Sequence, residues 1–383
     1  MHRRGGAHID LSGAKSARKA RERLLNRLRK AYFGARALGG RLLAAGTAKA
    51  QIEIWHGTRQ RVGHLGEAQP DFNLMGRVNH PRRLLALQYT LNDSIPVELN
   101  FRAYRRLARD GDFNADIPIA ALAPGINTVE VRARFADRSM ARQTVTLERL
   151  SGASPLPVRI AWSTVSDPQD VGQYVDGHWR LGEDGLRPAH LGYDRMFLIG
   201  NATWQDYQIT AAIKMHNVPS RTGPLSGGNG LGVLLRFTGH VIGGPRRFPA
   251  AQPKWGYQPF GAIAWLRWSR RGGKGAAVRQ FHPGDRKETV DHSRAEVRMG
   301  EPYLLKASCQ TLPDDEQGRS RTRYAFKFWH AAADEPSAWD WEQMQASRDA
   351  LRQGGVALLA HYVDASFGDI SIVPLAPAPP PPS

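Results

Sequence analysis

The chain has 383 residues, and its 53 Lys and Arg against 35 Asp and Glu give a formal charge of +18. No stretch approaches the ~20 apolar residues of a membrane-spanning helix, which excludes a helical span. A single cysteine, Cys309, excludes an internal disulfide and any multi-cysteine zinc site.

The charge is concentrated at the start. Residues 1–50 carry nine Arg and four Lys against Asp10 and Glu22, whereas the rest holds 40 basic and 33 acidic side chains. Lys15 to Arg36 reads as a helix, with Leu24, Leu28, Ala31 and Tyr32 near one face. Three readings of this arm stand side by side. It is a solvated leader, a degenerate export signal ending near Ala48-Lys49-Ala50, or an anchor for nucleic acid or an anionic surface. Arg36 and Arg41 interrupt the apolar core that an export signal needs.

From Gln51 the pattern changes to short alternating runs: Ile52 to Trp55, Leu84 to Leu91 and Val129 to Ala133. Asn92-Asp93, Asp110-Gly111-Asp112 and Pro124-Gly125 supply the turns. Residues 51–150 are expected to form a small antiparallel β-sandwich. The run Leu122 to Val131, a Gly turn leading to Asn127 and alternating valines, resembles immunoglobulin-like or fibronectin-like bacterial modules. His56 and His64 flank a loop without matching carboxylates or thiols and read as ordinary loop histidines.

Residues 151–157 read as a linker, and nine of the ten Trp follow it. Tyr207 to Met215, Leu231 to Phe237, Ala262 to Trp268, Tyr324 to Phe328 and Val356 to Tyr362 alternate as strands. Asp349 to Gly354 reads as the end of a short helix capped by glycine. Many strands over residues 158–374 fit a two-sheet jelly roll, and residues 375–383 form a Pro-rich tail. The fold class expected is therefore all-β.

Several phrases of this second region carry a resemblance. They are Gly177-His178-Trp179 with Gly185, Phe197 to Gly200, Trp204-Gln-Asp206-Tyr207, Gly232 to Arg236, and Phe367-Gly-Asp369-Ile370. Together they resemble the concanavalin A-like lectin/glucanase superfamily, in particular its laminin-G-like bacterial branch. The resemblance implies a closing strand that returns beside the first strand, an extracellular or cell-envelope location, and a structural calcium near Asp369. No single activity is implied, because this fold hosts lectins, hydrolases, lyases and adhesion modules.

Side-chain parity suggests a site. Positions alternating with the core, Arg236, Trp265, Arg267, Lys327, Trp329 and His361, are expected on one sheet face. Indoles offer flat platforms to sugar rings and guanidinium groups bind hydroxyls or carboxylates, so this face is expected to bind a polysaccharide or glycoconjugate. Trp255, Tyr257 and Phe260 would form one rim, and the loop Ser226 to Gly230 another. Packing of the same tryptophans beneath loops is the competing reading.

Catalytic patterns of the superfamily are largely missing. No Glu-x-Asp-x-Glu strand occurs. Arg294-Ala-Glu296-Val-Arg298 and Gln280-Phe-His282 echo alginate lyases, but in reversed order and without the terminal Lys/Tyr strand. A hydrolase built from His361 with Asp364, or from Asp176, His178 and Asp194, stays open as an alternative. Spacing assigns no Ser-His-Asp arrangement. Cys309 reads as a buried structural thiol.

Overall fold

The strand Tyr207–Asn217 shows how this chain builds its walls. Tyr207, Ile209, Ala211, Ile213 and Met215 are buried while the residues between them are half-exposed, as a period of two demands. The computed structural model describes residues 50–220, 226–242, 252–256, 261–269, 276–284, 289–348 and 350–376. The basic arm through residue 49, the rim residues Tyr257 and Phe260, and the Pro-rich tail from 377 lie outside the described residues.

Among the described residues the protein is all-β, with three short 3-10 turns and no α-helix. The first sandwich has two sheets. Strands Ile52–Ile54, Asp71–Val78 and Asp112–Pro118 form one. Arg59–Val62, Met140–Arg149, Gly125–Phe135, Leu84–Leu91 and Val97–Glu98 form the other. Leu74, Phe113, Ile117, Leu87, Val131 and Val145 fill the space between them. Arg59–Val62 runs parallel to Met140–Arg149, and the other ladders of this sandwich are antiparallel.

The second sandwich is larger. Its seven-stranded sheet runs, in spatial order, Gln173–Asp176, Arg195–Ile199, Gly355–His361, Gly228–Phe237, Ala262–Ser269, Ala277–His282 and Val290–Ala295. The facing sheet runs Trp179–Gly182, Gly185–Pro188, Asp364–Pro374, Tyr207–Asn217, Pro302–Leu312, Ser320–His330 and Trp341–Ser347. Its eighth strand, Val158–Ile160, pairs with Asp364–Pro374 through Ile160↔Ile370 and Val158↔Ile372, so the last strand of this sandwich closes beside its first. Ile209, Ile213 and Phe326 meet Leu231, Val233, Leu266 and Leu358 in the core. Each such side chain contributes about 1.5–3 kcal/mol. Cys309 is fully buried on its strand, and burial pushes its thiol pKa up.

Two expectations are corrected. Residues 350–354 form no helix; Gly354 has φ +144° and donates its N–H to Trp204 O at 2.8 Å, an edge contact instead of a cap. The outer face of the seven-stranded sheet is also not a polar trough. Val175, Met196, Leu198, Leu234, Phe237, Ile263, Trp265, Ala357 and Leu359 line it as a second apolar layer, joined by Ala68 of the first sandwich. From Ala50 onward the chain groups as one compact unit. Strands covered on both faces read as unbroken apolar runs, which is why Gly355–His361 is buried along its whole length.

Candidate functional site

The residues expected on one face are divided among several places. Arg236 fails to alternate because the ladder slips between Leu234 and Phe237, and its φ is +54°. That bulge turns its fully buried side chain inward. The guanidinium donates to Asp206 Oδ1 at 3.0 Å, Thr311 Oγ1 at 2.7 Å, Thr322 Oγ1 at 2.9 Å and Leu351 O at 2.7 Å. Tyr207 Oη receives the Arg236 N–H at 2.7 Å, so the Trp-x-Asp-Tyr phrase serves as a clasp for this arginine. Lys327 and Trp329 belong to the other sheet, where the Lys327 ammonium meets Glu335 at 2.6 Å and lies over the Trp339 ring at 5.0 Å. Trp255 is buried edge-on to Tyr104 of the first sandwich at 5.0 Å.

Trp265, Arg267 and His361 do converge. The register places His361 opposite Gly230 and Gly230 opposite Arg267, so two large side chains flank a residue that has none. A Cβ on Gly230 would lie 2.4 Å from the Trp265 ring, so this glycine lets the indole lie across its neighbour. The Arg267 guanidinium stands 4.7 Å from that ring centre, and His361 meets it edge-on at 5.9 Å. Trp265 is only 7% exposed, and its Nε1 donates to Gln280 Oε1 at 3.0 Å. It is a buttress here, not an open platform.

Asp194, expected with Asp176 and His178, and Ser226, expected at a rim, complete this cluster. His361 Nδ1 lies 2.6 Å from Asp194 Oδ1, and His361 Nε2 lies 2.7 Å from Ser226 Oγ. Asp194 sits at a left-handed turn, φ +45°, immediately before the strand Arg195–Ile199. Ser226 precedes the strand Gly228–Phe237, whose first three residues belong to the five-residue Gly-rich segment expected as a loop. Burial holds the His361 pKa below the ordinary value; Asp194 opposes this and Arg267 adds to it. The imidazole is therefore neutral at pH 7. Arg267 Nη1 has no hydrogen-bond partner among the described residues.

A second polar cluster lies alongside, between the sandwiches. Arg106 Nε donates to Asp176 Oδ1 at 2.6 Å, and its two terminal nitrogens donate to both Asp116 oxygens at 2.9 Å. Asn114 Nδ2 adds a bond to Asp176 Oδ1 at 2.9 Å, and His240 Nε2 contacts Asp176 Oδ2 at 2.8 Å. Burial works against the Asp176 charge, yet Arg106 and His240 hold its pKa below the usual carboxylate value. Arg195 joins the clusters, donating to Arg106 O at 2.8 Å and Tyr193 O at 2.7 Å.

Other sequence candidates resolve as follows. Asp364 is paired bidentately by Arg187 at 2.7 Å, so Asp194, not Asp364, is the carboxylate of His361. Asp176 bonds Arg106 and His240, not His178, which stacks on Trp55. His56 stacks on Tyr174 at 3.5 Å, and His64 Nε2 contacts Gln169 O. Asp369 is exposed and accepts the Trp162 N–H at 3.1 Å. Among the described residues no three His, Cys, Asp or Glu side chains assemble as a metal cage. Glu296, Arg298, Glu301, Tyr303, Trp329 and His330 line an open cavity of about 350 Å³.

No protein-family model matches the chain, and no curated protein matches it by sequence. Among solved structures, it is similar to the exoplasmic/lumenal domain of VIP36 in a Ca2+/Man3GlcNAc-bound form. That match has 10% identity and TM-score 0.32, covering 55% of this chain and 86% of that one. Lectin I-B4 from Griffonia simplicifolia gives 8% identity and TM-score 0.31, covering 57% of this chain and 100% of that one. The endo-β-1,4-mannanase from Thermotoga petrophila gives 8% identity and TM-score 0.22. That match covers 28% of this chain and 21% of the enzyme, about a fifth of its length. TM-scores this low transfer neither activity nor ligand.

Proposed function

We propose that the protein binds a polysaccharide or glycoconjugate where Arg267 meets Trp265 and His361. One observation carries this reading: Arg267 is half-buried beside exposed Gly227, and its Nη1, itself shielded from solvent, has no hydrogen-bond partner among the described residues. A guanidinium fixed over an indole is pre-organised to take two oxygens of one ligand, and sugars bearing carboxylates present such pairs. The larger sandwich is then read as a concanavalin A-like domain of the laminin-G-like branch, the smaller as an immunoglobulin-like support, and residues 151–157 as the join. An extracellular or cell-envelope location suits both.

The test is a fluorescence and calorimetric titration of neutral and uronate-bearing polysaccharides. Saturable binding is expected, weakened roughly tenfold or more in Arg267→Ala, the size of a lost charge-assisted hydrogen bond. Absence of saturable binding to any member of the panel, or equal affinity of the variant, overturns the reading.

A further inference from the structure

We propose that Ser226, His361 and Asp194 form a nucleophile, base and orienting carboxylate that hydrolyse a carboxylic ester, with Arg267 stabilising the oxyanion. The three side chains come from separate segments, His361 being 135 residues from Ser226 and 167 from Asp194. Such a constellation is defined by geometry and roles, not by order in the chain.

The protons settle the roles. An ionised carboxylate only accepts, so the 2.6 Å contact to Asp194 Oδ1 puts a proton on His361 Nδ1. A neutral imidazole then has a bare Nε2 at 2.7 Å from Ser226 Oγ; the same hydroxyl also has the Gly228 carbonyl as an acceptor at 2.5 Å and turns from it to engage the ring. The Asp194 N–H also approaches Nδ1, but at 3.3 Å, and the shorter charged contact prevails. Gly228 N donates to Ser226 Oγ at 3.1 Å, a bond that favours negative charge on that oxygen. The Arg267 Nη2 atom lies 3.3 Å from where a Cβ of Gly227 would stand, one residue after the serine. Its Nη1, shielded from solvent, has no partner among the described residues and is left with a proton to donate.

The chemistry balances without any cofactor. Ser226 Oγ bonds to the ester carbonyl carbon as its proton passes to His361 Nε2. The C–O bond to the alcohol then breaks, and the alcohol leaves with that proton. Water, deprotonated by the same nitrogen, attacks the acyl carbon; the bond to Ser226 Oγ breaks, that oxygen takes the proton back from His361 Nε2, and a carboxylic acid is released. Ser226 is buried while Gly227 is exposed, so the serine lies one residue beneath the surface. This suits a small acyl group such as acetyl. That the alcohol half is a sugar hydroxyl rests on the glycan-binding reading above; the ester chemistry does not.

The experiment uses the full chain with p-nitrophenyl acetate, which carries no sugar, and with diisopropyl fluorophosphate followed by peptide mass mapping. Expected are ester turnover and a phosphoryl adduct on Ser226. Ser226→Ala should lose roughly 10³-fold or more in turnover, with its circular dichroism and thermal midpoint confirming the fold. Asp194, Arg267, Arg195, Tyr193 and Tyr362 all face the His361 imidazole. The rate should rise with pH through a pKa below 6.5 and flatten above it. Because Asp194 raises that pKa, Asp194→Asn should move the rising limb to lower pH as well as slow the reaction. Folded wild type giving neither adduct nor turnover above buffer overturns the proposal, as does a Ser226→Ala variant that hydrolyses at the wild-type rate. Polysaccharide bound without ester cleavage would sink the triad alone. Ester cleavage without polysaccharide binding would sink the glycan reading alone.

Discussion

Two polar clusters meet at the dipeptide Asp194-Arg195, and they treat their charges differently. In the cluster between the sandwiches every nitrogen of the Arg106 guanidinium and both oxygens of Asp116 and Asp176 have partners. Arg106, Asp116 and Asp176 are almost wholly buried. In the cluster around His361, Arg267 Nη1 and Asn229 Oδ1 lack partners among the described residues, and exposed Gly227 borders the serine. Completed buried networks hold parts of a fold in register, whereas incomplete ones beside solvent are where ligands and reacting groups fit. The first cluster is architecture and the second is the place to look for activity.

The comparison breaks most visibly at Asp176. Asp176→Ala leaves Arg106 buried with one of its two carboxylates gone, and chemical denaturation should show a loss of about 3–5 kcal/mol. A loss below 1 kcal/mol would mean that solvent reaches the cluster and the two regions do not differ in kind. A smaller effect is expected at Gly230→Ala, whose new methyl would meet the Trp265 ring and push it from its seat. Overpacking of this kind costs about 1–3 kcal/mol, and the Trp265 emission should shift with it; unchanged stability and emission would remove the buttress role.

The gentlest effect is on acid tolerance. Burial lowers the pKa values of His56, His178 and His190, the last to about 4, with neighbouring arginines adding to the effect at His178 and His190. Groups whose folded pKa is depressed bind more protons when unfolded. Their stabilisation is therefore complete above the unfolded value of ~6.5 and is lost as pH falls from there toward 4. His56 Nε2 accepts the Trp179 N–H at 3.2 Å, which requires the neutral ring. Unfolding free energy should decline across that window, less steeply in His56→Gln; identical slopes would place the sensitivity elsewhere.

Much of this was legible beforehand. The alternation of Tyr207 to Met215 predicted a strand that the structure contains, and the closing strand lies beside the first as the resemblance implied. Parity misled where its assumption failed. It presumes an unbroken ladder, and the bulge before Phe237 sent Arg236 inward. It also presumes that alternate residues of different strands share a sheet, yet Lys327 and Trp329 stand on the one opposite Trp265. Ser226 was read as part of a rim and Asp194 as a partner of Asp176 and His178; their pairing with His361 carried no local signal, since an isolated Ser before glycines and a Tyr-Asp-Arg turn are common phrases.

Sequence alone determined the strands, the apolar content of the walls and the presence of a lone sheltered thiol, because side-chain period and composition are local properties. Only the tertiary structure decided which charges are neutralised between the sandwiches and which imidazole meets which serine and carboxylate. Those pairings span from 10 to 167 positions along the chain, and folding brings them together through a sheet order that no short segment encodes.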